Sequence, residues 1–326
     1  MSFQPFTALR HLRAALLFLL FSVSAPAQTQ SYSAKAALAC ETYAYLRGQN
    51  AALKEVSRQF PQLHADVQAA EKSLQASYGR AAVNISRFLK EELRPSHLTV
   101  LEKQIDSLLE QQLKNPIEEK HARDFIASLK QKAALQNTTA VQKSIISFIY
   151  HDAPHQEIID GHLNIFMTEN HPKADKADLQ IPIPKSWLAE EAENPQTIQQ
   201  FTSCSGTGDE KIIVMAFELP DSMRGMVLSR ETVSDMLPLE SRLLRSETLE
   251  IGKLPGIMIE AEEIITDGGR RMKIRMLQFM AIQESILYCI QGSIGPVKAE
   301  KNLDSHIKKY EPLFRLVAAN TEIDRP

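Results

Sequence analysis

The sequence contains few of the residues that mark specialised classes of protein. Only 6% of its 326 residues are aromatic, and it has one tryptophan and three cysteines. Basic residues are not in excess, since the formal net charge is −3. A protein that binds nucleic acid regardless of sequence needs a basic surface that displaces counterions from phosphates. The charge balance therefore argues against nucleic-acid binding.

Long apolar runs are missing except near the start of the chain. A helix that crosses a bilayer takes about 18 consecutive apolar residues or more, and the run AALLFLLFSVSA at residues 14–25 is shorter. Arg10 and Arg13 precede it, and the small residues of APA at 25–27 follow it, as in a cleavable export signal. We therefore predict that residues 1–27 are a signal peptide. The mature chain is then periplasmic or secreted and has no integral membrane segment.

The three cysteines are too few for a disulfide framework. Their odd number leaves at least one of Cys40, Cys204 and Cys289 unpaired. Cys204 and Cys289 fall on predicted strands of the same half, so they are the pair that we expect to form a disulfide in an oxidising compartment. The alternative is that both are buried thiols that pack as small apolar side chains.

The sequence also lacks the short motifs of common catalytic sites. It has no Gly-x-Ser-x-Gly, no Cys-x-x-Cys and no His-Glu-x-x-His. The segment TSCSGTGDEK, residues 202–211, contains Gly206-x-Gly208, but a phosphate-binding loop needs more glycines and a helix after them. A predicted strand follows instead, so we interpret the segment as a turn between two strands. No catalytic residue is predicted, which favours a non-enzymatic protein and leaves an enzyme as the alternative.

Histidines are concentrated in one stretch, HDAPHQEIIDGH at residues 151–162. His151 and His155 are four residues apart, a spacing that places two zinc ligands on one face of a helix, and His162 follows them. Pro154 opposes this hypothesis because it disfavours helical backbone at the residue before it. Two interpretations stay open: a zinc site at these three histidines, or a polar linker, which the Pro, Asp and Gly content favours. No other cofactor is predicted.

Apolar residues recur with a helical period in the first half, residues 28–150. In one long segment they are spaced alternately three and four apart, which places them on a single stripe of an amphipathic helix. The stripe consists of Leu63, Val67, Ala70, Leu74, Ser77, Ala81, Ile85 and Phe88. Pro95 ends this helix, and Asn115 with Pro116 predicts the start of a later one. The pattern predicts four or five helices, either as an antiparallel bundle or as an extended hairpin.

After a predicted linker at residues 151–175, the period becomes that of strands. Short β-branched runs predict strands at residues 163–168, 179–184, 197–204, 211–218 and 285–293. The runs GIMIEAEEII and RRMKIRMLQFMAI flank the turn TDGG and predict a β-hairpin, because Gly tolerates the positive φ of a tight turn. We also predict a helix over residues 230–245 and an amphipathic helix that closes the domain. These elements predict an α+β fold, with an antiparallel sheet in a domain at residues 176–320 and a tail at 321–326.

Charged residues alternate with apolar ones along the predicted hairpin. Arg271, Lys273 and Arg275 lie on one strand, and Glu260 and Glu262 lie on the other. Opposite charges on neighbouring strands attract each other, so we expect ion pairs across this hairpin without any ligand.

The segment IPIPKSWLAEEA, residues 181–192, is an apolar strand that ends in Pro184 and is followed by Trp187. Together with the later hairpin, strand and closing helix, it resembles PsbP/Mog1/DcrB-like domains. The resemblance covers about residues 176–320 and depends mostly on spacing. It implies an α/β/α sandwich on an antiparallel sheet and a role in binding or assembly, since such domains include extrinsic photosystem proteins, a small-GTPase-binding protein and periplasmic proteins. It implies no site residues, and the helical half lies outside it.

Taken together, these features predict an exported protein that binds a protein partner or a small ligand in the cell envelope. The helical half would dock to a partner, and the PsbP/DcrB-like half would form a second binding module. The alternative from another class is an envelope hydrolase or metal-dependent enzyme centred on His151, His155 and His162.

Overall fold

The first half of the chain is helical and the second half is built mainly from strands, as the change of period predicts. The computed structural model describes residues 32–133, 139–174, 177–192, 194, 196–223, 225–238 and 240–323. The predicted signal peptide lies outside the described residues, as do the last three residues of the predicted tail. None of the described helices is long and apolar enough to cross a membrane.

The described helices of the first half are α1 (Ala34–Gln59), α2 (His64–Glu92), α3 (Pro95–Leu113), α4 (Glu119–Ala133) and α5 (Ala140–Ile149). Local side chains define where several of them start. Ser33 Oγ accepts a hydrogen bond from Ala36 N at the start of α1 (3.2 Å), and Thr139 forms a capping box with Gln142 at the start of α5. Pro95 occupies the first turn of α3, where its missing N–H removes no helical hydrogen bond.

The stripe predicted on α2 is the buried face of that helix. Val67, Ala70, Leu74, Ala81 and Ile85 are at most 5% exposed. They face neighbours on several sides, since α2 contacts α1, α4 and α5. The helices therefore form a bundle around α2 and not an extended hairpin.

The described strands of the second half form two antiparallel sheets. They are β1 (Leu163–Met167), β2 (Leu179–Pro184), β3 (Leu188–Glu190), β4 (Thr197–Thr202), β5 (Glu210–Glu218), β6 (Ser241–Ile251), β7 (Leu254–Asp267), β8 (Arg270–Gln283), β9 (Ile286–Lys298) and β10 (Glu322–Ile323). The larger sheet has the order β3-β4-β5-β9-β8-β7-β6, and the smaller has the order β1-β2-β10. The helices here are α6 (Gln156–Ile159), α7 (Arg230–Met236) and α8 (Asp304–Ala319). The predicted α+β fold class is confirmed.

Two predicted helix boundaries are wrong. α4 begins at Glu119 and not at Pro116, because Ile117 N donates a hydrogen bond to Gln59 Oε1 (3.4 Å), which ties this segment to the end of α1. The helix predicted over residues 230–245 ends at Met236. From Ser241 the chain pairs with β7, and this tertiary pairing overrides the local helical preference.

The larger sheet is covered on one face by α8 and the smaller sheet. Side chains from all three form the main apolar core of this half, which includes Trp187, Leu277 and Phe279. The ring of Phe314 on α8 lies directly on Gly292 of β9, where an added Cβ would come within 2.1 Å of a ring carbon. Glycine is therefore required for α8 to approach the sheet this closely.

The opposite face of the larger sheet is covered by a helix at one end. There Val233 of α7 belongs to an apolar cluster with Ile257, Met280 and Cys289. Further along the same strands the side chains become polar and line an open cavity. One face of the sheet therefore changes from apolar and covered to polar and accessible.

Each half of the chain has its own apolar core. Among the described buried residues, the core of the helical bundle and the main core of the sheet half have no member in common. The contact between the halves is therefore built from other groups.

The predicted ion pairs across the hairpin formed by β7 and β8 are confirmed. Arg275 lies opposite Glu262 and binds both Glu262 (3.2 Å) and Glu260 (2.6 Å). Lys273 Nζ is 3.6 Å from Glu262, whereas Arg271 lies further towards the turn. This ladder fixes the register of the two longest strands.

The close approach of α8 to β9 gives a test of the packing. Gly292→Ala forces the ring of Phe314 away from the sheet and is expected to lower the free energy of unfolding by about 1–3 kcal/mol. Gly48→Ala is the matched control, since its Cβ meets only Leu109 Cδ2 at 3.7 Å in the interior of α1. It should raise stability by about 0.5–1 kcal/mol. Urea denaturation measures both, and equal effects of the two substitutions would contradict the packing.

Candidate functional site

The two halves of the chain meet at a buried carboxylate. Glu210, the first residue of β5, is 1% exposed. Its Oε1 atom is 2.6 Å from His306 Nε2 on α8 and 3.8 Å from Lys35 Nζ on α1. Ser203 Oγ donates a hydrogen bond to the other oxygen, Oε2. These four residues, the Glu210 cluster, connect the first described helix of the bundle with the sheet and with α8.

Neighbouring charges keep the carboxylate ionised. Burial alone would raise the pKa of Glu210, but Lys35, His306 and the Ser203 hydroxyl outweigh burial and lower that pKa well below its usual range. Burial alone would also lower the pKa of Lys35, and the neighbouring Cys204 and Glu210 raise it above its usual value instead. Both groups stay charged at neutral pH, so an ion pair that is largely removed from water links the two halves.

A strained turn at residues 203–206 places the serine hydroxyl beside Glu210. Cys204 and Ser205 have φ angles of 50° and 55°, in the left-handed region that non-glycine residues seldom adopt. The backbone N–H of Ser205 donates to the carbonyl of Ser186 (2.9 Å), which helps to hold the turn in this conformation. The prediction of a turn between two strands is confirmed, since this segment joins β4 to β5.

The Glu210 cluster does not have the geometry of a catalytic triad. In a triad the histidine lies between the nucleophile and the carboxylate, so that it can take the proton of the nucleophile. Here the carboxylate lies between Ser203 and His306. Burial raises the pKa of the Cys204 thiol, although the thiolate is the reactive form of cysteine. The arrangement is suited to holding two parts of the chain together.

The three histidines of the predicted zinc site face different surroundings. His151 packs against Phe88, with ring centroids 6.0 Å apart, and burial lowers the pKa of His151 to about 4. His162 lies beside Tyr150 (5.8 Å between centroids), and His155 Nδ1 is buried without a hydrogen-bond partner among the described residues. Within the described ranges, no three or more His, Cys, Asp or Glu side chains are grouped so that they could hold a metal ion. The zinc site stays a prediction without an assembled set of ligands.

The segment predicted as a linker contains α6, β1 and a second buried carboxyl group. Glu157 on α6 is 2% exposed and accepts hydrogen bonds from Ser186 N (2.7 Å) and Ser186 Oγ (2.8 Å). Burial raises the pKa of Glu157 to about 7 in spite of these hydrogen bonds. Because the carbonyl of Ser186 also binds Ser205, Glu157 and the strained turn hold the same residue from two sides.

The predicted Cys204–Cys289 disulfide is not formed. Both cysteines are free and buried, as the alternative interpretation expects. Cys289 lies opposite Met215 and Met280, in the apolar cluster that also contains part of α7. In the sheet it shares a row with Thr197 at the start of β4, whereas Cys204 follows the end of that strand. The length of β4 separates the two thiols, which is too far for a disulfide.

The second candidate site is the open cavity on the larger sheet, the sheet-face cavity, with a volume of about 320 Å³. It lies on the face that α7 covers at its other end. Its polar lining includes Gln200, Lys211, Glu263, Gln278, Gln291 and Ser293. Gln278 Nε2 donates a hydrogen bond to Gln291 Oε1 (2.8 Å) across β8 and β9. The cavity therefore combines a rigid sheet floor with several polar groups.

A larger cavity, about 580 Å³, lies in the helical half near the ends of α1 and α3. Two of its charged side chains are paired with each other, since Arg58 binds Glu55 at 2.5 Å. Glu55 is also bound by Gln59 (2.6 Å). These groups have less capacity for a ligand than those of the sheet-face cavity.

No pattern in the sequence predicts the Glu210 cluster. Lys35, Glu210 and His306 belong to three distant segments, and no local motif joins them. The one signal was the segment at residues 202–211, which contains both Ser203 and Glu210. The sheet-face cavity had a clearer signal, since glutamines interrupt the apolar runs of two predicted strands.

No family model and no curated protein matches this chain. Several solved structures resemble part of it. A Bacteroides thetaiotaomicron protein matches with a TM-score of 0.29 and 13% identity, over 45% of this chain and 45% of its own. LpqN, involved in cell envelope biogenesis of Mycobacterium tuberculosis, matches with a TM-score of 0.32 and 11% identity, over 52% of this chain and 95% of its own. PA94, a Pseudomonas aeruginosa protein of unknown function, matches with a TM-score of 0.26 and 13% identity, over 51% of this chain and 99% of its own.

This chain therefore spans less than half of the Bacteroides protein. Likenesses at this level of similarity carry no argument about function. The resemblance of residues 176–320 to PsbP/Mog1/DcrB-like domains stays a prediction.

The ion pair at the Glu210 cluster can be tested by removing one charge. Glu210→Gln leaves Lys35 without its buried counter-ion, so we expect the free energy of unfolding to fall by about 3–5 kcal/mol. Asp106→Asn is the control, because Asp106 forms a more exposed ion pair with Arg47 at a distance of 2.6 Å. Loss of such a surface pair costs at most about 1 kcal/mol. Similar losses in urea denaturation of the two variants would show that the Glu210 ion pair does not hold the halves together.

Glu157 predicts a pH dependence of stability with a defined sign. The folded chain keeps the proton of Glu157 up to about pH 7, whereas the unfolded chain releases it near the ordinary pKa of 4.5. The stability that neutral Glu157 contributes is therefore lost as pH rises from 4.5 to 7. Glu157→Gln should remove this loss and be more stable than the parent chain at pH 8. Urea denaturation at a series of pH values measures this pH dependence. The control is Glu300→Gln, which removes an exposed carboxyl group. If the parent chain and Glu157→Gln had the same pH profile, the assignment to Glu157 would be wrong.

Proposed function

We propose that this chain is an exported, non-enzymatic protein that binds a ligand or partner in the cell envelope. The observation that carries the proposal is the sheet-face cavity, with a volume of about 320 Å³. Ligand sites have volumes of about 300–1,000 Å³ and combine an apolar lining with a few polar groups. The cavity fits this description, because Ile213, Ile274 and Met276 lie among its polar side chains.

The surroundings of the Glu210 cluster and of the histidines at residues 151–162 support binding over catalysis. The order of Ser203, Glu210 and His306 does not allow the histidine to activate the serine. An enzyme centred on His151 and the two histidines that follow it would need these side chains to act on one atom, and they lie in different environments. The proposal therefore assigns no catalytic residue.

The helical half has the role of a docking scaffold in this proposal. Lys35 attaches α1 to Glu210 of the sheet half, and each half has a separate core. A partner that binds the bundle would thus be held at a fixed position relative to the sheet-face cavity. Export is proposed from the sequence, in which residues 1–27 have the features of a cleavable signal.

Export and binding can be tested on the same preparation. The full chain is expressed in a bacterium that has an outer membrane, and its periplasmic fraction is examined by mass spectrometry. We expect a mature chain that begins at Gln28 and, under native conditions, carries a bound ligand.

Ser293→Trp places a bulky ring in the sheet-face cavity and should remove the bound ligand. Ser107→Trp on the exposed part of α3 is the matched control and should retain it. Uncleaved chain in the cytoplasm would contradict the proposed export. A ligand bound equally by both variants would contradict the proposed site.

A further inference from the structure

The strand β6 forms one edge of the larger sheet and is long for that position. It has 11 residues and pairs with β7 on one side, and no described strand pairs with its other side. The bundle is attached through Lys35 at β5, four strands away. Glu247, Thr248 and Glu250 of β6 are exposed. The free backbone groups of such an edge can pair with a strand of another chain.

The turn that follows β6 determines which of its backbone groups point outward. Gly252 and Lys253 have φ angles of 52° and 72°, as in a two-residue type I′ turn, and Ile251 pairs with Leu254 across it. The two residues that flank such a turn bond to each other, and bonded residues then alternate with outward-facing ones along the strand. The N–H and C=O groups that face away from β7 therefore belong to every second residue before the turn: Glu250, Thr248 and Ser246.

The regular part of this edge is bounded at both ends. A register shift between Leu243 and Arg245 marks a bulge, and the turn follows Ile251. Residues 245–251 remain, with Thr248 at their midpoint.

Two copies of this segment can pair antiparallel around a two-fold axis. Thr248 then lies opposite Thr248 of the second copy, and Ser246 of each copy lies opposite Glu250 of the other. Each of these residue pairs exchanges two hydrogen bonds. Every outward-facing backbone group of the regular segment therefore finds a partner.

Charged side chains favour a second copy of this chain as the partner. Arg230, the first residue of α7, is exposed and donates a hydrogen bond to Ser246 Oγ (3.3 Å). Neither Arg230 nor Glu250 forms an ion pair with a described residue. In the paired strands the Cα atoms of Ser246 and the second copy's Glu250 are about 5.5 Å apart. The carboxylate of Glu250 thus reaches the Arg230 that lies over Ser246, and the two-fold axis gives two such ion pairs.

Other symmetric registers bring like charges together, which destabilises strand pairing. If Ser246 faced itself, the two Arg230 side chains would meet, and if Glu250 faced itself, two carboxylates would meet. In the register centred on Thr248, Glu247 lies opposite Leu249 of the second copy, and its charge is balanced by Arg315 (2.5 Å). Charge therefore selects the register in which Thr248 is the midpoint.

We infer that this chain forms a symmetric dimer in which the β6 edges of two copies pair antiparallel about Thr248 and join the two larger sheets into one. The inference goes beyond the proposed function and does not depend on a bound ligand. A pairing of this length is smaller than a standard interface of about 1,200–2,000 Å². The expected dissociation constant is therefore about 10–100 μM.

Sedimentation velocity of the mature chain from about 1 to about 300 μM measures this dissociation constant. Thr248→Pro removes an outward N–H that β7 does not use, a change that edge strands tolerate. It should weaken the dimer at least about tenfold, and circular dichroism shows whether the variant is folded.

An exchange of charges tests the partner and the register together. Glu250→Arg places two cations at each contact, and Arg230→Glu places two carboxylates there, so each variant alone should be monomeric over this range. An equimolar mixture of the two should form a heterodimer, because opposite charges meet again at both contacts. Glu300→Arg is the control, since it changes an exposed glutamate outside β6 and should leave the dimer unchanged.

Three results would overturn the inference. The first is a parent chain that stays monomeric at the highest concentration. The second is a folded Thr248→Pro variant that dimerises as tightly as the parent chain. The third is a mixture of Glu250→Arg and Arg230→Glu that associates no more than each variant alone. If Thr248→Pro does not fold, the charge exchange decides.

Discussion

A charged carboxylate can lie away from water only where the fold provides enough donors and an opposite charge. Glu210 meets this condition with Ser203 in the turn before it and with groups from two distant segments, His306 on α8 and Lys35 on α1. Because one of these partners belongs to the bundle, the carboxylate is fully satisfied only when both halves are in place. Ionic contacts therefore set the relation between two parts that have separate apolar cores. A contact of this kind adds little stability beyond an apolar one but restricts geometry strongly.

The fold was largely predictable from sequence because its signals are local. The alternation of three and four residues on α2 and the Asp-Gly-Gly turn between β7 and β8 each depend on neighbours in the chain, and both were predicted correctly. The helix predicted to extend to Arg245 was wrong, since pairing with β7 decides the structure of β6 and involves residues far along the sequence. Local propensity does not contain that information.

The candidate sites were less predictable for the same reason. Lys35 and His306 are unremarkable surface-type residues in the sequence, and they acquire a role only because the fold brings them to Glu210. The histidines at residues 151–162, which are close together in the chain, are directed to different neighbours. Proximity in the sequence was thus a poor guide to proximity in space for titratable groups. The pairing of Gln278 with Gln291 follows from a strand register that the sequence did not predict.

The helix α8 takes part in both sites. Its first turns carry His306, which binds Glu210, and further along Phe314 rests on Gly292 of β9, directly between the cavity residues Gln291 and Ser293. The same helix thus contacts the joint at one point and the underside of the cavity floor at another, with Pro312 in the turn between them. A change in how α8 sits at Glu210 would therefore also change the packing beneath the cavity floor.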